Sequence, residues 1–506
     1  MQMSTVQKRF VIAGIMLSVF MASMEATVVA TAMPTIAAQL GGLERYSWVF
    51  AAYLLTSTTT VPIYGKLSDL YGRRRVYAVA MVLFLAGSLL CGMATSMTQL
   101  VWFRALQGIG AGGVLPLAFI MIGEMFSFEQ RARFQGLFSG VWGVSSVVGP
   151  LLGGFIVDQL SWPWIFYVNL GPGLLAMAFV WFAWQDAARP AGAGRPAVDA
   201  VGAVLLTLTV IALMVGLQST LATERIGLLA AAALLFVVLL WWERRAADPI
   251  LPMHLFRQRL FAASVANGTL AGMAMFGSIN FVPLFVQTVL GTSATAAGIT
   301  MTPMLMSWVI ASIIGSRLLL RVDYRTLALA GMVLLSLGAL VMTFVDQETR
   351  RRTVMAALAL MGTGMGLSVP AFLIAVQSTV QRSSLGTATS TLQFSRSIGG
   401  TLGTAVMGAV LSARLLAGIK AGGEAVDAAS LNQLLAGTEN AGGQVVISET
   451  VRTALSSGIS GVFWIALAAA LLGLAATALA PRGTIHRLST PSHAPVAVEV
   501  EPTSKA

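Results

Sequence analysis

Apolar runs long enough to cross a membrane recur along the whole chain and are separated by short polar segments. The hydrocarbon core of a bilayer is about 30 Å thick, which about 20 apolar residues cross as a helix. The pattern therefore predicts an all-α integral membrane fold with fourteen spans, near 10–33, 47–65, 76–94, 99–122, 135–157, 163–184, 200–219, 226–242, 259–286, 295–316, 326–345, 353–375, 387–413 and 456–480. An even number of spans places both termini on one side.

Composition agrees with this interpretation, because 57% of the 506 residues are hydrophobic and only 10% are charged. The net charge of +11 would suggest a nucleic-acid partner in a soluble protein. Here the excess of arginine and lysine in alternate loops fits the positive-inside rule, with both termini cytoplasmic. Arg350, Arg351 and Arg352 oppose that orientation locally. We therefore expect a lipid bilayer as the surroundings and no nucleic acid.

Residues suited to enzyme chemistry are scarce. The three histidines, His254, His486 and His493, lie in loops or near the C-terminus, and the single cysteine, Cys91, lies in an apolar run. No metal-ligand cluster, nucleophile–base pair or nucleotide-binding glycine motif is evident in the sequence. We expect no metal and no cofactor. A membrane-embedded enzyme is the alternative class, which catalytic turnover without transport would favour.

Two polar segments divide the chain. Residues 185–198 resemble a linker in their Ala, Gly, Pro and Arg content, and a charged loop precedes residue 259. A weak internal repeat at an offset near 250 residues relates the first six spans to the last six. The expected domains are 1–184 (a six-helix bundle), 185–258 (a linker with two additional spans), 259–480 (a second six-helix bundle) and 481–506 (a disordered cytoplasmic tail). Residues 415–457 predict a long outer loop.

Glu25 is the one acid that lies deep inside a predicted span. The run around it, from Phe10 to Leu43, is otherwise uncharged. At 1.5 Å per residue it lies about 22 Å along the first helix. A carboxylate at such a depth costs about 2.5–3.5 kcal/mol on insertion scales, and such residues mark ion or proton pathways. The alternative is a structural glutamate paired with a neighbouring helix.

The loop between the second and third spans, residues 65–75, reads G-K-L-S-D-L-Y-G-R-R-R. Gly65 and Gly72 permit close helix approach and unusual dihedral angles. Asp69 can accept hydrogen bonds from a helix N-terminus, and Arg73 can pair with an acid on a neighbouring helix. A basic loop that only follows the positive-inside rule is the alternative, although such a loop needs neither the aspartate nor the glycines.

This loop resembles the signature of the major facilitator superfamily. Residues 103–113 resemble its fourth-span motif, residues 143–154 its fifth-span antiporter motif, and residues 24–34 the first-span motif of its fourteen-span drug:proton antiporter branch. The resemblance covers about residues 10–413. It implies two six-helix bundles plus two additional spans in the plasma (inner) membrane of a bacterium, in a protein that we expect to be monomeric.

The resemblance also implies a function, proton-coupled antiport that exports drugs or other small amphipathic compounds by alternating access. Its partners would be protons and a small-molecule substrate. The alternative within transport is a dedicated exporter of one metabolite, siderophore or lipid.

Roles follow from the same resemblance. Glu25 would couple the proton, although many relatives have aspartate there. Asp69 would cap a helix of the other half near Gly386, and Arg73 would pair with Glu124. Together these contacts would latch the outward-facing state.

The fifth span carries a small-residue face that would seal one half against the other, consisting of Gly149, Pro150, Gly153 and Gly154. Close packing without gating is the alternative. Three positions apart on the fourth span, Arg104 and Gln107 share a helix face. We expect both to face the cavity, where Arg104 either influences Glu25 or contacts substrate. Further cavity candidates, each of which could equally be a satisfied packing residue, are Tyr53, Asn280 and Gln393.

Overall fold

The computed structural model describes most of the chain, and the regular elements in the described part are helices. The described residues are 3–40, 45–126, 128–186, 199–219, 222–246, 249–251, 253–292, 294–381, 384–421 and 449–483. The last part of the predicted tail, residues 484–506, lies outside them. So does most of the predicted linker, residues 187–198.

The helices follow the apolar runs, because a chain in lipid must satisfy its backbone hydrogen bonds internally. In chain order the helices are α1 (Thr5–Leu40), α2 (Tyr46–Tyr71), α3 (Arg73–Gly92), α4 (Met97–Met125), α5 (Phe128–Gln159), α6 (Trp164–Tyr167), α7 (Leu170–Ala183), α8 (Ala200–Gln218), α9 (Ala222–Glu243), α10 (Met253–Phe256), α11 (Arg259–Leu284), α12 (Ala294–Leu318), α13 (Tyr324–Thr343), α14 (Arg351–Thr379), α15 (Leu385–Ala421) and α16 (Glu449–Ala478). A π-helical turn, Phe285–Val289, extends α11.

Twelve helices in the described part of the chain are long and apolar enough to cross a membrane. The predicted spans near 47–65 and 135–157 lie on α2 and α5, which are not among the twelve. The predicted span near 163–184 corresponds to α6 and α7 together. The structure therefore supports a multi-span helical membrane protein, and the count of fourteen remains a prediction.

The packing repeats between the two ends of the chain. In the N-terminal half (α1–α7), α4 packs on α2 and α3, and α1 packs on α5 and α7. In the C-terminal half (α11–α16), α14 packs on α12 and α13, and α11 packs on α15 and α16. The halves meet where α5 packs on α12 and α2 packs on α15.

The apolar cores show how the halves are joined. At the end of the bundle where α2 meets α3, here called the Asp69 end, one core contains residues of both halves, such as Tyr77, Ile122 and Val376. At the opposite end, the N-terminal half has its own core around Met24 and Val28. The C-terminal half has a separate core there. The two halves are thus closed together at the Asp69 end.

The helix pair α8–α9 lies beside α2 and α15 at one side of the junction between the halves. Its small core of Leu206, Val210 and Leu239 continues onto partly buried residues of α2 and α15. Asp199 begins α8 by accepting hydrogen bonds from the Gly202 amide at 2.7 Å and from the Trp242 indole at 2.8 Å.

The prediction of a loop over residues 415–457 is wrong at both ends of this segment. Helix α15 continues to Ala421, and α16 begins at Glu449. The reason is packing, since Leu415 is buried in one core with Ala454 and Leu455. The middle of this segment, residues 422–448, lies outside the described residues.

Candidate functional site

Glu25 lies on α1 with only 1% of its surface exposed. Its Oε1 forms an ion pair with Nη1 of Arg104 at 2.5 Å. Its Oε2 accepts a hydrogen bond from Nδ2 of Asn169 at 2.6 Å. Both carboxylate oxygens are therefore engaged. Met21 belongs to the core shared by the halves and Met24 to the separate N-terminal core, so Glu25 lies at the depth where the shared core ends.

Arg104, on α4, is equally buried, with 2% of its surface exposed. Its Nη1 also donates to Oε1 of Gln107 at 2.7 Å, and its Nε donates to the Val49 carbonyl at 3.3 Å. The guanidinium lies over the Tyr53 ring, 4.1 Å from the ring centroid. Of the two roles expected for Arg104, this geometry favours contact with Glu25.

A second layer of hydrogen bonds surrounds the pair. Ser88, on α3, accepts from Nε2 of Gln107 at 3.1 Å and from Nδ2 of Asn169 at 3.3 Å. It donates to the Phe166 carbonyl at 2.9 Å. The network connects α1, α3 and α4 with the junction of α6 and α7. A buried ion pair offsets its desolvation cost only when such extra hydrogen bonds are present.

Sequence reasoning did not assign Asn169 or Ser88 to the site. A signal for Asn169 existed, because it is an amide in an otherwise apolar run. Ser88 offers no such signal, since single serines are common in membrane helices. Only the packing of α3 against α4 and α7 shows that it belongs here.

The Asp69 end carries a second polar cluster, which joins the two halves. Oδ1 of Asp69 accepts from the Gly386 amide at 3.1 Å, and Oδ2 accepts from the amide and the hydroxyl of Thr387, both at 2.8 Å. These amides belong to the first turn of α15. The structure thus places Asp69 at the helix end near Gly386, where a carboxylate is favoured by the helix dipole. Gly65 makes this approach possible, since a Cβ there would lie 2.8 Å from the Gly386 carbonyl.

Arg73 completes this cluster. Its Nη2 pairs with Oδ1 of Asp69 at 2.6 Å, and its Nε pairs with Oε2 of Glu124 at 3.1 Å. Gly72, with φ of 91°, forms the turn before α3. Asp186, which sequence reasoning placed in the linker, accepts from the Arg73 amide at 2.8 Å and so caps α3.

The predicted small-residue face lies on α5, which packs against α1 and, across the junction, against α12. Gly149 and Gly153 are buried. The side chain of Pro150 and the surroundings of Gly154 lie outside the described residues. Earlier on α5, a Cβ at Gly136 would lie 2.9 Å from the Ile313 side chain, so α5 and α12 approach closely.

The remaining cavity candidates lie in the C-terminal half. Asn280, on α11, is exposed and donates to the Thr404 hydroxyl at 2.9 Å. Gln393, on α15, is buried and lines a small pocket together with Arg396 and Asn267. A separate apolar cavity of about 590 Å³ lies between α8–α9 and the C-terminal half, with Phe236 and Phe394 in its wall.

Comparison with known proteins agrees with this architecture. The family model described as Major Facilitator Superfamily matches residues 15–404. The chain is 41% identical over 414 residues to "Multidrug transporter protein MdtP" of Bacillus subtilis (strain 168), covering 81% of this chain and 76% of that protein. It is 37% identical over 408 residues to "Multidrug resistance protein 3" of the same organism, covering 79% of each.

Solved structures share the fold at low identity. The human organic anion transporter MFSD10 (TETRAN) aligns with a TM-score of 0.63 at 13% identity, covering 93% of this chain and 99% of that chain. The proton:xylose symporter XylE aligns with a TM-score of 0.62 at 12% identity, covering 95% and 98%. The family resemblance inferred from the sequence is confirmed, and with it the prediction that the protein is no enzyme. The chain belongs to the Major Facilitator Superfamily, as a transporter related to bacterial multidrug transporters.

Proposed function

We propose that this protein is a proton-coupled antiporter that exports drugs or other small amphipathic compounds by alternating access. The observation that carries the proposal is the buried Glu25–Arg104 ion pair, in which Asn169 holds the second carboxylate oxygen. Two relatives carry names of multidrug transporters, and their alignments with this chain cover more than three quarters of their length. These names support the proposed substrate class.

Glu25 is the proton carrier in this proposal. When Glu25 takes up a proton, its charge is lost and the attraction to Arg104 falls to that of a neutral hydrogen bond. Because the same network connects α1, α3, α4 and the α6–α7 junction, this loss alters the packing of the N-terminal half. Release of the proton restores the ion pair. Substrate loading alternates with proton loading in this cycle.

The cluster at the Asp69 end serves as the latch of the same cycle. Asp69 and the first turn of α15 hold the halves together at this end, and separate cores at the opposite end leave room for a cleft between them. Opening at the Asp69 end requires these hydrogen bonds to break. The proposed role of Gly149, Pro150, Gly153 and Gly154 is to seal α5 against its neighbours during this change.

One proton supplies enough free energy for export. A potential of 100 mV contributes about 2.3 kcal/mol per charge, and one pH unit contributes about 1.4 kcal/mol. The sum, about 3.7 kcal/mol, supports a gradient of about 500-fold for a neutral substrate. A single coupling carboxylate is therefore sufficient.

The proposed topology has fourteen spans, with α2 and α5 also crossing the membrane and both termini in the cytoplasm of a bacterium. The Asp69 end is then cytoplasmic, which fits its arginines Arg73, Arg74 and Arg75. The two bundles, 1–184 and 259–480, are joined by the 185–258 segment with its two additional spans. The transporter acts as a monomer.

Uptake into inverted membrane vesicles tests the function. Vesicles with and without the protein receive an imposed pH gradient, and a panel of fluorescent amphipathic dyes reports accumulation. We expect uptake of several unrelated dyes, abolished when the gradient is dissipated. Uptake of a single compound alone would support the dedicated exporter instead. Uptake that is indifferent to the gradient would contradict proton coupling.

A further inference from the structure

Arg396 is a second arginine inside the membrane domain, and its surroundings differ from those of Arg104. It lies on α15, eleven residues after the helix begins, within the candidate span Leu385–Leu415. Among the described residues, no acid or hydrogen-bond acceptor pairs with its guanidinium. Arginine within a span is costly, and such residues usually face a polar cavity and pair with another group. A partner for Arg396 is therefore missing.

Among the described helices of the C-terminal half, the one acid is Glu449, at the start of α16. Helices α11 to α15 contain neither aspartate nor glutamate, as their sequences show. The deep acid of the other half, Glu25, already engages both oxygens with Arg104 and Asn169. A negatively charged partner must therefore come from outside these helices.

The backbone that carries Arg396 is fixed by close helix packing. A Cβ at Gly272 of α11 would lie 2.4 Å from the Arg396 carbonyl, so only glycine fits there. A Cβ at Gly268 would lie 2.8 Å from the Ser395 hydroxyl oxygen. The pocket that Arg396 lines is thus built on closely packed helices.

The pocket combines one cation with one amide and an apolar wall. Gln393, three residues before Arg396 on the same helix face, lines it with its side chain. Asn267 lines it too but is already satisfied, because it donates to Thr477 at 2.9 Å and accepts from Ser368 at 3.1 Å. Phe372 and Leu373 supply apolar surface. The pocket is small, with a volume of about 20 Å³, so it suits the anionic head of a ligand whose apolar body extends beyond the pocket.

The depth of Arg396 matches that of Glu25. Leu392 belongs to the core shared by both halves, and Met407 belongs to the separate C-terminal core. Arg396 therefore lies where the shared core gives way to separate cores, as Glu25 does on the opposite half. In alternating access this is the floor of the substrate cleft.

We infer that Arg396, assisted by Gln393, binds the negatively charged group of amphipathic anionic substrates, of the carboxylate or sulfonate class. The guanidinium can donate two parallel hydrogen bonds to such a group, which a lysine ammonium cannot reproduce. This inference rests on the proposed export function, because it names the substrate class that the C-terminal half selects.

The test uses pairs of ligands that differ only in charge. Three fluorescent aromatic carboxylates and their methyl esters are bound to the purified protein in nanodiscs, without a pH gradient, and followed by fluorescence anisotropy. We expect the wild type to prefer each carboxylate to its ester. Arg396→Gln should weaken carboxylate binding about ten- to a hundred-fold and leave ester binding unchanged. Arg396→Lys should fall between.

Arg321→Gln, at an exposed arginine after α12, is the matched control and should bind like the wild type. Equal affinities of Arg396→Gln and wild type for the carboxylates would overturn the inference. The inference would also be overturned if the wild type bound carboxylates and esters equally well. An equal loss of affinity for ester and carboxylate in Arg396→Gln would overturn it too. The assay measures binding without a proton gradient. Its result therefore does not depend on whether Glu25 couples transport to protons.

Discussion

Arg104 and Arg396 occupy corresponding depths in the two halves but have opposite surroundings. Arg104 contacts a carboxylate, an amide, a backbone carbonyl and an aromatic ring. Arg396 has no charged or hydrogen-bonding partner among the described residues. This difference fits the proposed division of labour, in which Glu25 in the N-terminal half carries the proton and Arg396 in the C-terminal half binds the anionic group of a ligand.

The same contrast predicts different effects on stability when either arginine is replaced. Removing one member of a buried ion pair leaves the other charge without compensation, which is strongly destabilising. Arg396 is partly exposed and has no ion-pair partner, so its replacement carries no such cost. The two arginines therefore give opposite expectations for stability, which variants can test.

The largest expected effect is on stability. Arg104→Gln should lower the free energy of unfolding by about 3–5 kcal/mol, because Glu25 loses its ion-pair partner. Arg396→Gln should leave it unchanged or raise it. Thermal unfolding of the purified proteins in one detergent measures both. The double variant Glu25→Gln with Arg104→Gln should recover most of the lost free energy of unfolding. Equal destabilisation by Arg104→Gln and Arg396→Gln would contradict the difference between the two arginines.

A smaller effect is expected at the amide that holds the second oxygen of Glu25. Asn169→Leu keeps the branched shape and the number of heavy atoms but removes the donor, at a cost of about 1.5–3 kcal/mol for a hydrogen bond to a charged group. We expect pH-driven accumulation of substrate to fall about ten-fold, while exchange between two substrate pools falls less. Parallel measurement of the two activities in proteoliposomes decides the matter. An equal fall in both would assign Asn169 a packing role only.

The smallest effect is expected at the Asp69 end. Asp69→Asn removes a charge at the N-terminus of α15, an effect worth about 0.3–2 kcal/mol, while Arg73 keeps Glu124 as its ion-pair partner. Transport should be impaired while expression and membrane insertion stay normal, because the contact joins the halves. Asp323→Asn is the matched control. Asp323 also caps a helix, at 2.7 Å from the Arg325 amide, but within one half. Full transport by Asp69→Asn, or equal impairment of both variants, would remove the latch.

Sequence reasoning located features that depend on local pattern and on the bilayer. The apolar runs gave the helices, and the isolated acid in an uncharged run singled out Glu25. The family resemblance gave the contact between Asp69 and the helix near Gly386. These features need only chain spacing, the thickness of lipid or a recognised motif.

What sequence reasoning missed depends on contacts between distant helices. Asn169 reaches Glu25 across 144 positions of the chain, and Asp186 caps α3 across 113. That Arg396 lacks a partner depends on how the helices around it pack. Residues 415–457 were taken for a loop because the burial of Leu415 against α16 leaves no trace in local polarity.

Proton coupling by Glu25 is tested most directly with Glu25→Gln in proteoliposomes with an imposed pH gradient. Glutamine keeps the shape and hydrogen-bonding capacity of the side chain but exchanges no proton at physiological pH. We predict that uphill accumulation of a transported dye is lost while exchange between two dye pools persists, and that Glu25→Asp retains partial uphill transport. Persistent exchange also shows that the variant is folded. Undiminished pH-driven accumulation by Glu25→Gln would contradict the assignment of Glu25 as the coupling site.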